Sequence, residues 1–535
     1  MPVLVCSLVS FFLILGFGKM TGSGASTVRS CVMFFIFLLA GVCGRTYDML
    51  TAMAVSACAL LVYRPQYVFY SGFLLSFGAV MGIALVSPLL SNIFSKESLS
   101  KRMTLSADRK EKWMKKIQKD IATSLKASLS VSIATLPLQL YFFYTASPYS
   151  CLLNLIVVPL AGVLMALGLA GGVATCFLPE CGHLFLMPAR VILNIYEILC
   201  RSFDCLPGGQ LIIGQPSRVK ILLYYVVLLM ILFLSTRFAG DEQTRLLQCG
   251  RMKVRGISWR WLVLLLVNTV LLCFRIRGNT TCAMLDVGQG DGIVIEEKDG
   301  GTVLIDGGSS DISQVGKYRI VPYLKSHGVD RLDYIFVSHA DEDHISGVRE
   351  ILSGGKSMGI RVNCLVLTKF AAEDVAYEEL VSLAEEMHIR VLLVGTGDFI
   401  TLGDTCFTCL YPKADDSAEG NDQSMVLLME CNGIRTLFTG DLTEEKEKTG
   451  VWEDVDILKV GHHGSRYSSC EGFLQQCRPE VAVISAGEEN RYGHPHQETM
   501  ERLEQIDAKV FTTKESGAIT IRYEKGNYAV SVHEK

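Results

Sequence analysis

The stretch Tyr334-Ile-Phe-Val-Ser-His339-Ala-Asp341-Glu-Asp343-His344 decides how the second half of this chain reads. Its first residues alternate little and are apolar, the pattern of a buried strand. Its last six hold two histidines and a run of carboxylates, which is costly to assemble unless the groups chelate something. The strand stops where the cluster starts, so the donors sit in a loop at a strand's carboxyl end, free to curl around an ion. Ile345 onward reads as a helix, which sets Asp343 and His344 at its start and lets alternate side chains face two neighbouring ions. The pattern recurs twice. Leu437-Phe438-Thr439 runs into Gly440-Asp441, and Ile457–Val460 runs into Gly461-His462-His463-Gly464-Ser465. Three strand ends that present His or Asp form a constellation, and the expectation is a shared divalent-metal site. Alone, Asp341-Glu-Asp343 reads as an exposed acidic turn. His327, His388 and His533 are given no role, and Gly288, Gly290, Gly307 and Gly308 are loop glycines of little weight.

Around the quoted stretch, short β-rich runs (Cys282–Leu285, Gly292–Glu296, Thr302–Ile305) precede helical patterns near 317–327, 345–353, 373–387 and 496–506. Strands return at Val362–Thr368, Arg390–Val394, Met425–Glu430, Thr436–Thr439 and Val481–Ser485. Alternation of this kind indicates α/β layering rather than an all-β sandwich.

Before residue 279 the text changes solvent. Uncharged runs at 2–18, 30–44, 49–63, 65–94, 127–179, 219–236 and 261–274 give eight or nine membrane segments at roughly 20 residues per span. Residues 1–278 hold 26 Lys and Arg against 10 Asp and Glu, whereas residues 279–535 hold 24 against 44. A near-neutral total of −4 therefore hides a basic membrane domain, 1–278, and an acidic soluble domain, 279–535. The loop 95–120 is rich in Lys and Arg and reads as cytoplasmic, with a phosphate contact to DNA or lipid as the alternative. A second basic loop, 245–260, belongs on the same side. Crossings at about 124–146, 150–178, 183–205 and 219–237 fit between them, the third weakened by Arg190, Glu197, Arg201 and Asp204. A last crossing at 259–276 then delivers the soluble domain outside. Asn154 and Asn268 read as helix–helix hydrogen-bonding groups, and Pro88, Pro137 and Pro159 as kinks. No paired CxxC occurs among the 18 cysteines, which argues against a thiolate zinc site. Cys282, Cys406 and Cys409 leave a disulfide open.

The soluble half resembles the metallo-β-lactamase superfamily, whose fold is an αββα sandwich with metals at one edge. The resemblance places ligands at His339, Asp341, Asp343 and His344, a bridging carboxylate at Asp441 and a last histidine at His462. Asp341 stands where most of that superfamily has histidine, and Asn421-Asp422-Gln423-Ser424 stands where a further histidine often occurs. Carboxylate in place of imidazole hardens the site and favours manganese or magnesium over zinc, with one or two ions.

The whole chain looks like a member of the ComEC family of bacterial DNA-internalisation competence proteins. Asp286-Val-Gly-Gln-Gly-Asp291, Lys459-Val-Gly-His-His-Gly-Ser465 and Tyr492-Gly-His-Pro-His496 resemble that family's soluble domain. Gly72-Phe-Leu-Leu-Ser-Phe-Gly-Ala-Val80, Leu136-Pro137, Asn154 through Pro159, Arg29 and Arg45 resemble its membrane domain. The family usually begins with further membrane segments and a small OB-like domain, so the resemblance implies a start inside the competence region.

What the resemblance implies is a multi-pass protein of the bacterial cell membrane that conducts single-stranded DNA during transformation, beside other competence proteins and with a homo-oligomer left open. Its attached domain is expected to be a metal-dependent nuclease or phosphodiesterase. Asp343, Asp441 and His494 are the candidate catalytic residues, and His463, Ser465 and His496 the candidate substrate contacts. Two rival readings stay open: a membrane-tethered hydrolase of a non-DNA phosphodiester, and a catalytically silent binding module. The acidic balance of residues 279–535 is awkward for a DNA enzyme, because phosphate binding normally needs a basic face.

Overall fold

The computed structural model describes residues 3–22, 24–94, 109–237, 248–249, 252–253, 259–372, 374–413 and 420–533. Its contacts divide the chain into two compact units, Met1–Phe274 and Arg275–Lys535.

The first unit is helical. Six helices are long and apolar enough to cross a membrane: Ala25–Val42, Ser71–Leu90, Lys116–Phe143, Ser150–Phe177, Gly182–Asp204 and Arg218–Ser235. Three shorter apolar helices, Ser7–Met20, Met49–Tyr63 and Arg260–Cys273, accompany them among the described residues. The chain is thus a multi-pass membrane protein; eight or nine segments are expected, and the described residues hold six helices of spanning length and three shorter ones. The apolar run 65–94 does not form one rod. A 3₁₀ turn at Pro65–Phe69 precedes the helix, which loosens to a π-turn at Gly82–Val86. A Cβ at Gly82 would lie 2.6 Å from the Ser130 carbonyl, so glycine is what lets this helix touch Arg109–Phe143. Asn154 Nδ2 donates to Ser128 Oγ at 2.9 Å and Asn268 Nδ2 to the Tyr224 carbonyl at 3.2 Å, both links between helices. Asp48 caps Met49–Tyr63 by accepting from the Thr51 amide. Of the two basic loops, residues 95–108 and most of 245–258 lie outside the described residues, and 109–120 opens a helix.

The second unit is an αββα sandwich. One sheet has eight strands in the order Arg390–Val394, Cys364–Thr368, Tyr334–Phe336, Thr302–Ile305, Ile293–Glu296, Thr281–Met284, Ile519–Glu524 and Asn527–Val532. The other has seven, in the order Phe399–Leu402, Thr405–Tyr411, Val426–Cys431, Ile434–Phe438, Ile457–Lys459, Val481–Ile484 and Lys509–Thr512. Alternate residues of both sheets, among them Ile295, Val303, Phe336, Phe407, Leu427, Phe438 and Ile521, fill one core between them. The outer face of the second sheet is covered by Glu471–Cys477 and Gln497–Gln505, which bury Phe473, Leu474 and Leu503. On the first, Val321–Ser326, Glu342–Met358 and Glu378–Glu386 bury Leu324, Val348 and Leu380. Cys282, Cys406 and Cys409 are free thiols.

Strand direction places the site. Tyr334–Phe336 runs parallel to both Thr302–Ile305 and Cys364–Thr368, and Ile457–Lys459 runs parallel to Ile434–Phe438 and Val481–Ile484. Parallel neighbours finish at the same end. The residues that follow these strands, from Asp306 to Ser485, therefore gather along one edge of the sandwich.

Candidate metal centre

Six loops supply this edge, and close backbone packing fixes the first of them. Gly290 adopts φ +150°, and a Cβ there would stand 2.5 Å from the Asp343 carbonyl. At Gly308 a Cβ would meet the Asp343–His344 peptide at 2.3 Å. In exchange, the Asp291 amide donates to the Asp343 carbonyl at 3.0 Å and the Gly307 amide to the His344 carbonyl at 2.7 Å. The glycines of weak signal in the sequence are thus what lets the first loops lie flat against the histidine-bearing turn.

Each inward imidazole is held by one nitrogen and offers the other. His344 Nδ1 lies 3.0 Å from Asp306 Oδ2, His339 Nδ1 lies 3.1 Å from Ser338 Oγ, and His463 Nδ1 lies 3.1 Å from the Ser485 carbonyl. Asp306 also accepts from the Ser338 amide at 2.7 Å and from Ser338 Oγ at 2.8 Å. A carbonyl or carboxylate at Nδ1 fixes the proton there when the ring is neutral, and leaves Nε2 as a lone-pair donor. The Nε2 atoms of His339, His344 and His463 are buried and lack a hydrogen-bond partner, as are Asp291 Oδ1 and Asp441 Oδ1. They converge: His344 Nε2 is 3.3 Å from Asp441 Oδ1, while His463 Nε2 is 3.5 Å from Asp441 Oδ2 and 3.4 Å from Asp343 Oδ2.

The electrostatics point the same way. Burial opposes charge on His344, but Asp441 and Asp306 prevail and lift its pKa well above ordinary imidazole. For His463 burial is again opposed by Asp441 and Asp291, and the pKa is pushed up to about 9. Burial likewise disfavours the charge on Asp441, yet His463 and His344 hold its pKa well below the usual carboxylate range. Lys459 and Asp291, both fully buried, form an ion pair that depresses the aspartate and raises the lysine. The cluster recruits positive charge into a dry space, and a divalent cation meets that demand. Ligand atoms of His339, His344 and Asp441 lie within 4.8 Å of one another, as do those of Asp343, His344 and His463, and of Asp291, Asp441 and His463. The residues present therefore fit a divalent cation, by donor type, by burial and by unsatisfied valence.

With this geometry in place, comparison with known proteins is informative. The competence protein family model matches residues 4–238, and the metallo-beta-lactamase superfamily model matches residues 285–357. Residues 4–238 are thus similar to the competence protein family, and residues 285–357 to the metallo-beta-lactamase superfamily. ComE operon protein 3 of Bacillus subtilis is 29% identical over 531 residues, 96% of this chain and 63% of that protein. Competence protein ComA of Neisseria gonorrhoeae is 27% identical over 524 residues, covering 95% and 64%. Recombination protein 2 of Haemophilus influenzae is 30% identical over 265 residues, covering 49% of this chain and 31% of that one. The chain thus spans less than two thirds of the length of these relatives.

Among the expected site residues, the structure brings His339, Asp343, His344 and Asp441 together. Asp341 stands at the rim, its side chain half exposed and 3.7 Å from His339 Nε2. His462 is also peripheral: Nε2 lies 3.8 Å from Asp441 Oδ2 and 3.4 Å from Asn421 Nδ2. Its neighbour His463, expected as a substrate contact, turns into the cluster and is buried. Both take left-handed backbone angles, φ 50° and 54°, and that kink is what sends adjacent side chains different ways. Ser465 is buried behind the loop, where its carbonyl accepts from Thr499 Oγ1. His494 is buried, with Nδ1 3.3 Å from Gln289 Nε2, and burial followed by the neighbouring imidazoles lowers its pKa to about 4. His496 Nδ1 accepts from the Arg466 amide at 3.1 Å. Three residues carry no role in the sequence reading: Asp291, Asp306 and Lys459. Asp291 and Lys459 stand at the ends of motifs given above, and Asp306 follows an apolar strand, the same signal that marks Asp441.

Proposed function

We propose that this chain is a membrane component of DNA uptake whose soluble unit hydrolyses phosphodiester bonds with a divalent cation. The match of residues 4–238 to the competence protein model supports the DNA-uptake role. The observation that carries the hydrolysis is the set of three imidazoles tied at Nδ1, with free, buried Nε2 atoms facing Asp343 and Asp441. In this reading His339, Asp343, His344, Asp441 and His463 hold the cation or cations, and Asp341 and His462 close the site from the rim. The set mixes three imidazoles with two carboxylates, and the carboxylate of Asp341 at the rim is the hard donor that favours manganese over zinc. A bound cation there supplies charge to a phosphoryl oxygen and makes water nucleophilic near neutral pH. Asp306, Ser338 and the Ser485 carbonyl orient the imidazoles. His494, kept neutral near pH 7 by burial and the neighbouring imidazoles, lines the substrate side with His496, while Ser465 supports the loop from behind through Thr499. The helical unit forms the path for single-stranded DNA, and the soluble unit lies on the outer face of the membrane.

The test uses the full chain in lipid nanodiscs with manganese or magnesium and a labelled oligonucleotide. Asp343→Ala and Asp441→Ala are each expected to lower cleavage by about 10²-fold or more with unchanged circular dichroism. An unaffected rate in either variant removes the assignment.

A further inference from the structure

We propose that Tyr492 is a base-stacking platform that admits the substrate to the metal centre as an unpaired strand. The inference rests on the phosphodiesterase reading of the site and names how its substrate is gripped. The Tyr492 side chain is 46% exposed, whereas His494 and His463 beneath it are 5% and 1% exposed. The three rings form a ladder. Tyr492 stacks on His494 with centroids 5.7 Å apart and planes 21° apart, and His494 stacks on His463 at 6.3 Å and 29°. Two ring steps therefore lead from open solvent to a group that faces Asp343 and Asp441.

The ladder is held from below. Asn490 accepts from the His494 amide and donates to its carbonyl, each at 2.8 Å, and it donates to the Gly487 carbonyl as well. Gln289 braces the ring of His494 and accepts from the Gly487 amide at 3.3 Å. A positive charge stands beside the outermost ring: the Arg491 guanidinium lies 5.0 Å from the Tyr492 centroid and donates to its hydroxyl at 2.9 Å.

Charge makes this arrangement informative. Residues 279–535 carry 24 Lys and Arg against 44 Asp and Glu, so affinity built on phosphate contacts alone would be weak. Stacking on an aromatic ring is not electrostatic and tolerates any base, which suits a strand of arbitrary sequence. Within a duplex each base face is already covered by its neighbour, so only an unpaired or splayed base can use the platform.

The test is photocrosslinking on the full chain in nanodiscs, using a single-stranded 12-mer that carries 5-iodouracil, the same sequence as a duplex, and a 12-mer of abasic sites as competitor. The single strand is expected to crosslink at Tyr492, the duplex at least about 10-fold less, and the abasic strand to compete about 10-fold less well than an ordinary one. Tyr492→Phe keeps the crosslink and Tyr492→Ala abolishes it, with equal metal content in both. A bound single strand that does not crosslink at Tyr492, or an abasic competitor as effective as a normal strand, overturns the proposal. Its failure is separable from that of the hydrolase reading. Crosslinking at Tyr492 without metal-dependent cleavage sinks only the latter, and cleavage without crosslinking sinks only the former.

Discussion

The histidine-bearing turn explains what single residues reveal and conceal. His339, Asp343 and His344 are legible because they are neighbours in sequence, crowded beyond what an ordinary turn tolerates. Asp306 is not. It sits 38 residues from His344, and only the parallel register of Thr302–Ile305 with Tyr334–Phe336 carries its carboxylate to 3.0 Å from His344 Nδ1. The choice between His462 and His463 is equally invisible, since two left-handed residues set it. Asp306 spends three acceptor contacts on the Ser338 amide, Ser338 Oγ and His344 Nδ1, the nitrogen that fixes the His344 ring, which suits it to orientation. Asp306→Asn is expected to weaken metal affinity roughly 10- to 100-fold with the fold retained, as measured by titration calorimetry with manganese. An unchanged affinity would deny it that role.

At the scale of elements, runs with a clear apolar rhythm emerge near their expected bounds. Thr302–Ile305 and Arg390–Val394 coincide with the sequence reading, and the helix expected near 496–506 spans Gln497–Gln505. Thr405–Tyr411 was missed: its Thr and Cys residues dilute the alternation, although every second side chain is buried. The hairpin Ile519–Glu524 with Asn527–Val532 was missed also, because its outer strand is an exposed edge that needs little apolar character. Short helices carry their own device. Glu447, in Glu444–Thr449, accepts from the amides of Ser469 and Cys470 at 2.7 and 2.8 Å and so ties that helix to the start of Glu471–Cys477. Burial raises its pKa from 4.5 to about 7. The folded state thus retains a proton that the unfolded chain releases, and the stabilisation is full below pH 4.5 and fades as pH rises through 7. The span amounts to a stability change on the order of 3 kcal/mol. Glu447→Gln is expected to flatten the melting temperature of the soluble unit between pH 5 and 7, and a slope equal to that of the parent would contradict the tie.

For the whole molecule, the contrast between a basic membrane half and an acidic soluble half was plain from composition. The αββα layering followed from alternating strands and helices together with the family resemblance. Which strands lie side by side was not legible, because the order within each sheet depends on crossovers that leave no local mark. A ligand that binds only the folded state stabilises it by mass action. Chelation of divalent metal should therefore lower the melting temperature of the Arg275–Lys535 unit and leave the helical unit unchanged, with about 2.7 kcal/mol at stake when free metal is 100 times its Kd. Scanning calorimetry in nanodiscs with and without chelator checks this, and equal shifts in both transitions would argue against a site confined to the sandwich.

The donors come from two sheets that share no backbone ladder. His339, Asp343 and His344 follow a strand of one, and Asp441 and His463 follow strands of the other. An ion held by both would work as a rivet through the seam of the sandwich. Any slip of one layer over its mate would spoil coordination before it unpacked the apolar interior. Occupancy of the pocket is thus a gauge of how well the two halves of the sandwich are seated, readable by metal analysis before any loss of secondary structure is seen.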